Sequence, residues 1–458
     1  MKFLRKQRYH VVSHQGKNGK RKKNDMKKTC VFVLALLLCS MSRVGAQSYD
    51  DYFTNATLRL DYIFSGDIHS QEISLDELHI LPQWYGKRHR LAEVPVRGNG
   101  QLVMRDHHSG TVIYRNSFST LFQEWLSYPE ASTIRKSFQN VFLAPMPKDS
   151  ADVTIELYDN RQRTTATMTH TVAPSDILIR RSGWEGVTPY EMLQQARDTT
   201  QCIHIAFLAE GYQEDEMGVF LTDCRTAIEA LFAHEPFKST RNRFNIVAVK
   251  SPSVESGTSI PRKGIWKNTA IHSHFDTFYS DRYLTTLHLK ELHDRLAGTP
   301  YEHIIVLVNT NLYGGGGILN SYNLSMTHHP LFKPVVVHEF GHSFAGLGDE
   351  YAYEQEAIPM YPHDVEPWEP NLTTLADFHG KWEDLVAKDT PVPTPNSTDP
   401  KVIKSRVGLF EGAGYSLKGV YRACQDCRMR TNENPVFCPV CDRAIRRTID
   451  FYTKTPDD

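Results

Sequence analysis

The residues best suited to chemistry lie in one short stretch, His338–His342, with the sequence HEFGH. Two histidines four residues apart lie on the same face of a helix, so their imidazoles can share one cation. Glu339, directly after the first histidine, can take a proton from water that the cation activates. Pro334 suits the first turn of such a helix. The HExxH pattern therefore predicts a zinc site with ligands His338 and His342 and with Glu339 as general base. The alternative is an ordinary buried helix with satisfied histidines.

The residues that follow favour the zinc site. A catalytic zinc ion needs a third protein ligand and an open position for water. In HExxHxxGxxH sites a glycine ends the helix, and the third ligand follows it three residues later. Here Gly346 comes one residue later than in that pattern, and Asp349 is three residues beyond it. Asp349 is therefore the preferred third ligand, and Glu350 is the alternative.

The stretch from His338 to Tyr351 resembles the zinc site of the bacterial IgA-specific metalloendopeptidase family, known from a clostridial IgA peptidase. Further motifs are similar to the same family: Ala209–Tyr212, Arg243–Ile246, Glu255–Gly257, Gly408–Tyr415 and Phe437–Cys441. The resemblance covers about residues 190–450, after a β-rich domain of the family's type. It implies a zinc endopeptidase with a metzincin-like catalytic domain. It does not imply that immunoglobulin A is the substrate, because cleavage specificity depends on subsite loops.

The N-terminus has the pattern of an export signal. Lys27-Lys28 precede the apolar run Cys30–Leu38, and the small residues Val44–Ala46 follow it. This order is typical of a signal peptide, and the apolar run is too short to span a bilayer. We therefore predict that residues 1–46 are an N-terminal extension and signal peptide, and that the protein is secreted, periplasmic or on the cell surface. Lipidation at Cys39 is a weaker alternative, because the residue before it is not small.

The charge balance narrows the classes of partner. Lys and Arg total 52 and Asp and Glu total 53, which leaves a net charge of −1. This balance gives no argument for binding nucleic acid or an anionic membrane surface. Removal of the signal would leave about 410 of the 458 residues, enough for two or more domains. We expect a monomer without a transmembrane segment and with a protein or peptide as substrate. A host glycoprotein or an immunoglobulin is one candidate substrate.

The region 47–172 is predicted to be an all-β sandwich. Runs such as Thr57–Phe64 and Val153–Tyr158 alternate apolar and polar residues, and turn residues separate them. The simplest role for this domain is packing or positioning, and binding of carbohydrate or a partner protein is the alternative. The segment 173–200 is expected to be a linker.

The region 201–458 is predicted to be the catalytic domain, an α+β or α/β zincin. Three apolar runs indicate buried strands: Ile203–Leu208, Phe244–Val249 and Ile304–Val308. Two segments with helical periodicity separate them: Glu214–Ala233 and a segment near Thr285–Leu296. The glycine-rich run Tyr313–Leu319 then precedes the zinc helix. Glycines in a strand indicate close approach of another backbone, so we expect a sheet edge to which an extended substrate adds.

Four cysteines near the C-terminus form two CxxC units: Cys424, Cys427, Cys438 and Cys441. Disulfides are favoured because the chain is expected to be exported. A second, structural zinc ion on these four cysteines is the alternative. Met429 is a candidate for the methionine turn beneath the zinc, as the metzincin resemblance implies, and a plain core methionine is equally consistent with its position.

These motifs predict peptide hydrolysis by metal-activated water. A tyrosine often stabilises the oxyanion in such sites, and four are available: Tyr351, Tyr353, Tyr415 and Tyr421. One alternative is a catalytically silent surface protein that binds glycan or host protein, although such a protein would not need Glu339. The other is a zinc exopeptidase or amidase, which the glycine-rich edge disfavours.

Overall fold

The computed structural model describes residues 48–353 and 360–455. The predicted extension and signal peptide, residues 1–46, lie outside the described residues.

Two four-stranded sheets come first in the chain. The first sheet has the order β5-β1-β2-β8: β1 Phe53–Gly66, β2 Gln71–Leu81, β5 Lys136–Pro147 and β8 Arg180–Arg181. The second has the order β4-β3-β6-β7: β3 Gly100–Asp106, β4 Val112–Phe118, β6 Ala151–Tyr158 and β7 Thr164–Val172. Two short helices accompany them: α1 Tyr49–Tyr52 and α2 Leu121–Trp125.

The two sheets share an aromatic and aliphatic core. Residues of β6 are alternately buried and half-buried, as the period of two predicts. The rings of Phe118 in one sheet and Phe142 in the other lie 4.3 Å apart between centroids, and Phe64 and Phe118 lie 6.4 Å apart. Facing sheets joined by such a core are what the alternating sequence predicts for this region.

A six-stranded mixed sheet forms the second half, with the order β13-β14-β12-β10-β11-β9. Its strands are β9 Tyr190–Gln194, β10 Ile203–Glu210, β11 Phe244–Val249, β12 His303–Val308, β13 Gly315–Ile318 and β14 Tyr322–Met326. Its main helices are α3 Met217–Phe232, α4 Leu289–Leu296 and α5 Phe332–Ala345. The central strands are parallel and fully buried, which explains their unbroken apolar runs.

Two segments differ from the sequence-based expectation. The predicted linker 173–200 contributes β8 to the first sheet and β9 to the edge of the six-stranded sheet. The helix expected near Thr285–Leu296 begins only at Leu289, because Thr285 makes backbone hydrogen bonds with His274 instead.

The remaining elements follow the zinc-motif helix. They are β15 Leu372–Thr373, α6 Pro400–Ser405, β16 Phe410–Ala413, β17 Ser416–Arg422 and α7 Pro439–Thr453. The three strands form a small sheet of order β15-β17-β16. Across residues 48–353 and 360–455, no helix combines the length and apolarity needed to cross a bilayer. The architecture is a mixed α+β one, as predicted.

Candidate active site

Two histidines project from α5 on adjacent turns. Pro334 lies in the first turn of this helix, and the helix ends before Gly346, whose φ of 61° is left-handed. Glycine adopts this conformation without strain because it has no Cβ atom. The Nε2 atoms of His338 and His342 lie 3.0 Å apart. The helix therefore presents two imidazole nitrogens at one point.

Asp349 joins the two histidines. Its Oδ1 lies 3.1 Å from the Nε2 of His338 and 3.3 Å from the Nε2 of His342. A tetrahedral zinc ion with bonds of about 2.0–2.1 Å holds neighbouring nitrogen and oxygen ligands about 3.3 Å apart. The three atoms therefore have the spacing of one face of a tetrahedral site, and their chemistry fits zinc. The structure brings Asp349, and not Glu350, to the histidines.

The opposite nitrogen of each imidazole is held by a backbone carbonyl. His338 Nδ1 donates to the carbonyl of Arg428 at 3.0 Å, and His342 Nδ1 donates to the carbonyl of Leu347 at 2.5 Å. A carbonyl only accepts, so each Nδ1 carries the hydrogen and each Nε2 offers its lone pair. Both rings are thus oriented for a metal ion before one binds.

The charges around these side chains favour a cation. Burial alone would lower the pKa of His342, but Asp349 beside it raises this pKa to about 9. Burial also disfavours the charged form of Asp349, yet His342 and His338 hold the pKa of this carboxyl well below its usual range. The carboxylate therefore stabilises positive charge at this point, which a metal ion supplies in place of the imidazole proton.

Glu339 lies beneath the glycine-rich strand. A Cβ atom on Gly315 would lie 2.8 Å from Glu339 Oε1, so β13 passes directly over this carboxylate. Burial raises the pKa of Glu339, while His338 and His342 lower it. A carboxyl with a raised pKa both accepts and releases a proton more readily near neutral pH, as a general base requires.

Glu350 points instead toward the C-terminal cysteines. Its Oε1 accepts hydrogen bonds from Asn371 Nδ2 and from Cys441 Sγ, each at 3.0 Å. Burial raises the pKa of Glu350 to about 8.

The thiols of all four C-terminal cysteines are buried and free, so the disulfides that the sequence favours are not formed. The Sγ atoms of Cys427 and Cys441 lie 3.8 Å apart, far beyond the S–S bond of about 2.05 Å.

Two family models match the chain. The model described as IgA Peptidase M64 matches residues 192–405 and 399–449, and the model described as Peptidase M64 N-terminus matches residues 48–169. The chain belongs to the IgA peptidase M64 family. The family resemblance of the zinc-site motif is thereby confirmed. Among curated proteins, no match to the chain is found.

Membership of the M64 family makes the chain a peptidase of the metallopeptidase class, with proteins or peptides as substrates. The gap between the two matched regions, residues 170–191, overlaps most of the predicted linker, residues 173–200.

The outer edge of β13 in this M64 peptidase is already partly paired. Gly315 exchanges backbone hydrogen bonds of 3.3 Å with the segment 282–284, and Leu319 makes two hydrogen bonds with Ser119. Gly317 lies between these contacts. Alternate residues of a strand turn their amide and carbonyl groups to the same side, so those of Gly317 face outward, as those of Gly315 do. The sequence predicts a sheet edge to which an extended substrate adds, and within the described residues the part of β13 left open for this is short and centred on Gly317.

Met429 lies directly beneath α5. A Cβ atom on Gly341 would come within 2.8 Å of Met429 Sδ, and the methionine is fully buried. The Met429 carbonyl accepts a hydrogen bond of 2.8 Å from the amide of Glu350. This methionine therefore underlies α5 on the same segment that orients His338, where the methionine-turn hypothesis puts it.

The four candidate tyrosines separate into different environments. Tyr415 donates a hydrogen bond of 2.6 Å to Asp349 Oδ2, and its hydroxyl lies 3.1 Å from that of Tyr351. Tyr353 is 45% exposed. Tyr421 lies in β17 near Glu411 and Lys418. Tyr415 thus holds Asp349, the predicted third ligand, and sequence spacing does not reveal this contact because the two residues are 66 positions apart.

Replacing Tyr415 with phenylalanine is expected to weaken metal binding by about 10–100-fold, the usual effect of removing a hydrogen bond to a ligand. Competition with a chelator measures the affinity. Tyr421→Phe is the matched control and should bind metal as the wild type does. Unchanged affinity in Tyr415→Phe together with a lower kcat would instead show that this hydroxyl acts on the substrate.

A cavity of about 1000 Å³ is lined by His338, His342 and Asp349 and has walls from both halves of the chain. The N-terminal half contributes residues to it, among them Glu124 of α2. Tyr283 donates a hydrogen bond of 2.5 Å to Glu124 Oε2, and burial raises the pKa of Glu124 to about 7. Sequence reasoning missed Glu124, because a single glutamate in a short helix carries no spacing signal.

Proposed function

We propose that this chain is an exported zinc endopeptidase, with His338, His342 and Asp349 as metal ligands and Glu339 as general base. The observation that carries the proposal is the tetrahedral spacing of the three ligand atoms beside the half-buried Glu339. Met429 beneath α5 supports a metzincin-like catalytic half.

The side chains have separate tasks in this scheme. Zinc, when bound, supplies Lewis acidity that lowers the pKa of water and polarises the scissile carbonyl. Glu339 takes a proton from the attacking water and passes it to the leaving amine. The carbonyls of Arg428 and Leu347 hold the two imidazoles in the tautomer that binds metal.

The cleft favours an extended substrate. The outward amide and carbonyl of Gly317 can pair with a peptide backbone, in the manner of strand addition. A side chain at this position would lie 2.4 Å from the carbonyl of Glu339 and 3.0 Å from His342 Cβ, so glycine permits the strand to approach the zinc helix. A cavity with walls from both halves has room for residues on either side of the scissile bond.

A zinc exopeptidase is the second candidate, and Glu124 is the observation that favours it. This carboxylate lies in the cleft and offers an anchor for the ammonium group of a peptide N-terminus. A silent surface protein that binds glycan or host protein would retain the metal ligands without requiring Glu339.

Export is supported by the sequence pattern of residues 1–46. In this proposal the N-terminal half positions the substrate, since its residues form one wall of the cleft.

Cleavage-site profiling of a mixed peptide library by the mature protein separates these functions. We expect internal cleavage that stops with a chelator and resumes when zinc is restored. Removal of single residues from peptide N-termini would establish the exopeptidase instead. No cleavage by zinc-loaded protein would favour the silent binding protein.

A further inference from the structure

A second group of ligand atoms lies behind the catalytic site. Ligand atoms of Glu350, Cys427, Cys438 and Cys441 all lie within 4.8 Å of one another, and all four residues are buried. They come from three separate parts of the chain: the segment after α5, the segment around Met429 and the start of α7. Three thiols and a carboxyl do not gather in a core for apolar packing, because burying an unpaired polar group costs free energy.

The distances within this group fit a tetrahedral metal ion. Zinc–sulfur bonds of about 2.3 Å place two thiolate ligands about 3.8 Å apart, and a sulfur and an oxygen ligand about 3.5 Å apart. The Sγ atoms of Cys427 and Cys441 lie 3.8 Å apart. Oε1 of Glu350 lies 3.0 Å from the Sγ of Cys441 and 3.9 Å from that of Cys438. These separations lie around the tetrahedral values.

The charges nearby are those that an anionic metal site needs. Oε2 of Glu350 is buried without a hydrogen-bond partner, although a buried carboxylate oxygen normally has one. Arg422 and Arg428 are each 4% exposed, and the Nε of each also lacks a partner. Arg422 interacts electrostatically with Glu350, and Arg428 with Cys427. Three thiolates, one carboxylate and a divalent ion carry a net charge of −2, which two guanidinium groups balance.

We propose that Cys427, Cys438, Cys441 and Glu350 bind a structural zinc ion. The nearby Cys424 lies outside this ligand set, so the site differs from the four-cysteine one that the CxxC spacing suggests. The ion would crosslink the segment after α5, the segment around Met429 and α7.

This second site is connected to the catalytic ligands by short covalent and hydrogen-bonded paths. Glu350 directly follows Asp349 in the chain. Cys427 directly precedes Arg428, whose carbonyl accepts the hydrogen bond from His338 Nδ1 at 3.0 Å. Fixing these two neighbours of the ligand set holds one catalytic histidine and the catalytic aspartate in place.

The test uses the full mature protein with its catalytic site emptied by His342→Ala. We expect about two zinc equivalents in the wild type and one in this variant. After exchange with Co²⁺, the remaining ion should show the charge-transfer absorption of thiolate ligands, which the catalytic ligands cannot produce. A variant without bound metal and without this absorption would overturn the proposal. The absorption does not depend on proteolysis, so failure of this proposal is distinct from failure of the proposed function.

Two cysteine variants, Cys424→Ser and Cys441→Ser, form a matched pair that tests which residues bind the second ion. Cys424→Ser should keep the second equivalent and the full thiolate absorption, whereas Cys441→Ser should lose the second equivalent and weaken binding at the catalytic site by about 10–100-fold. Glu350→Gln should weaken the second site while the three-thiolate absorption persists at saturating Co²⁺. Loss of metal in Cys424→Ser, with wild-type metal affinity in Glu350→Gln, would overturn the assignment of Glu350.

Discussion

Replacing Glu339 with glutamine is expected to lower the turnover of the mature protein by at least about 10²–10⁴-fold, the usual contribution of one general base. The carboxylate lies under β13, and the contacts between the three ligand atoms do not involve it. Glutamine has nearly the same size and can fill the same buried space. Metal content and thermal stability should therefore stay close to those of the wild type.

The measurement is the initial rate of peptide cleavage at equal, determined zinc content. Glu229→Gln on the surface of α3 makes the same change in charge at a side chain that is 69% exposed, and it should cleave at the wild-type rate. If Glu339→Gln also cleaves at that rate, Glu339 is not the general base. If it loses its zinc, the loss of activity says nothing about proton transfer, and Glu339 must then hold the site together.

Local patterns in the sequence predicted the parts of the site that depend on local geometry. The spacing of His338 and His342 is set by the helical period, and Gly346 ends the helix because it can adopt a left-handed conformation. The buried strands of the second half were recognisable from their apolar runs, because parallel strands are covered on both faces.

Other parts depend on contacts between residues that are distant in the chain. Asp349 and Glu350 are adjacent in an irregular segment, where no repeating period determines which side chain faces the histidines. Their directions follow from tertiary partners: Tyr415 for Asp349, and Cys441 for Glu350. The pairing of Gly315 with the segment 282–284 is likewise a tertiary contact. For the same reason, sequence spacing alone does not distinguish disulfides from a metal site.

The choice between the two adjacent carboxylates gives the second large effect. Asp349→Ala is expected to empty the catalytic site and abolish cleavage, because two imidazoles remain where three ligands fix a zinc ion. The loss of affinity should far exceed the 10–100-fold expected for Tyr415→Phe, which removes only the hydrogen bond to this ligand.

Metal analysis of Asp349→Ala and Glu350→Gln side by side tests this ranking. The carboxyl of Glu350 faces the cysteines, so Glu350→Gln should keep the catalytic zinc, with an affinity lowered only through its effect on the neighbouring Asp349. Asp349→Ala should do the opposite: it loses the catalytic ion and keeps the ion with thiolate ligands. Because each variant removes one carboxylate from a different site, the two should weaken the binding of different ions. Loss of the catalytic ion in Glu350→Gln, with its retention in Asp349→Ala, would make Glu350 the third ligand and would contradict the geometry of both sites.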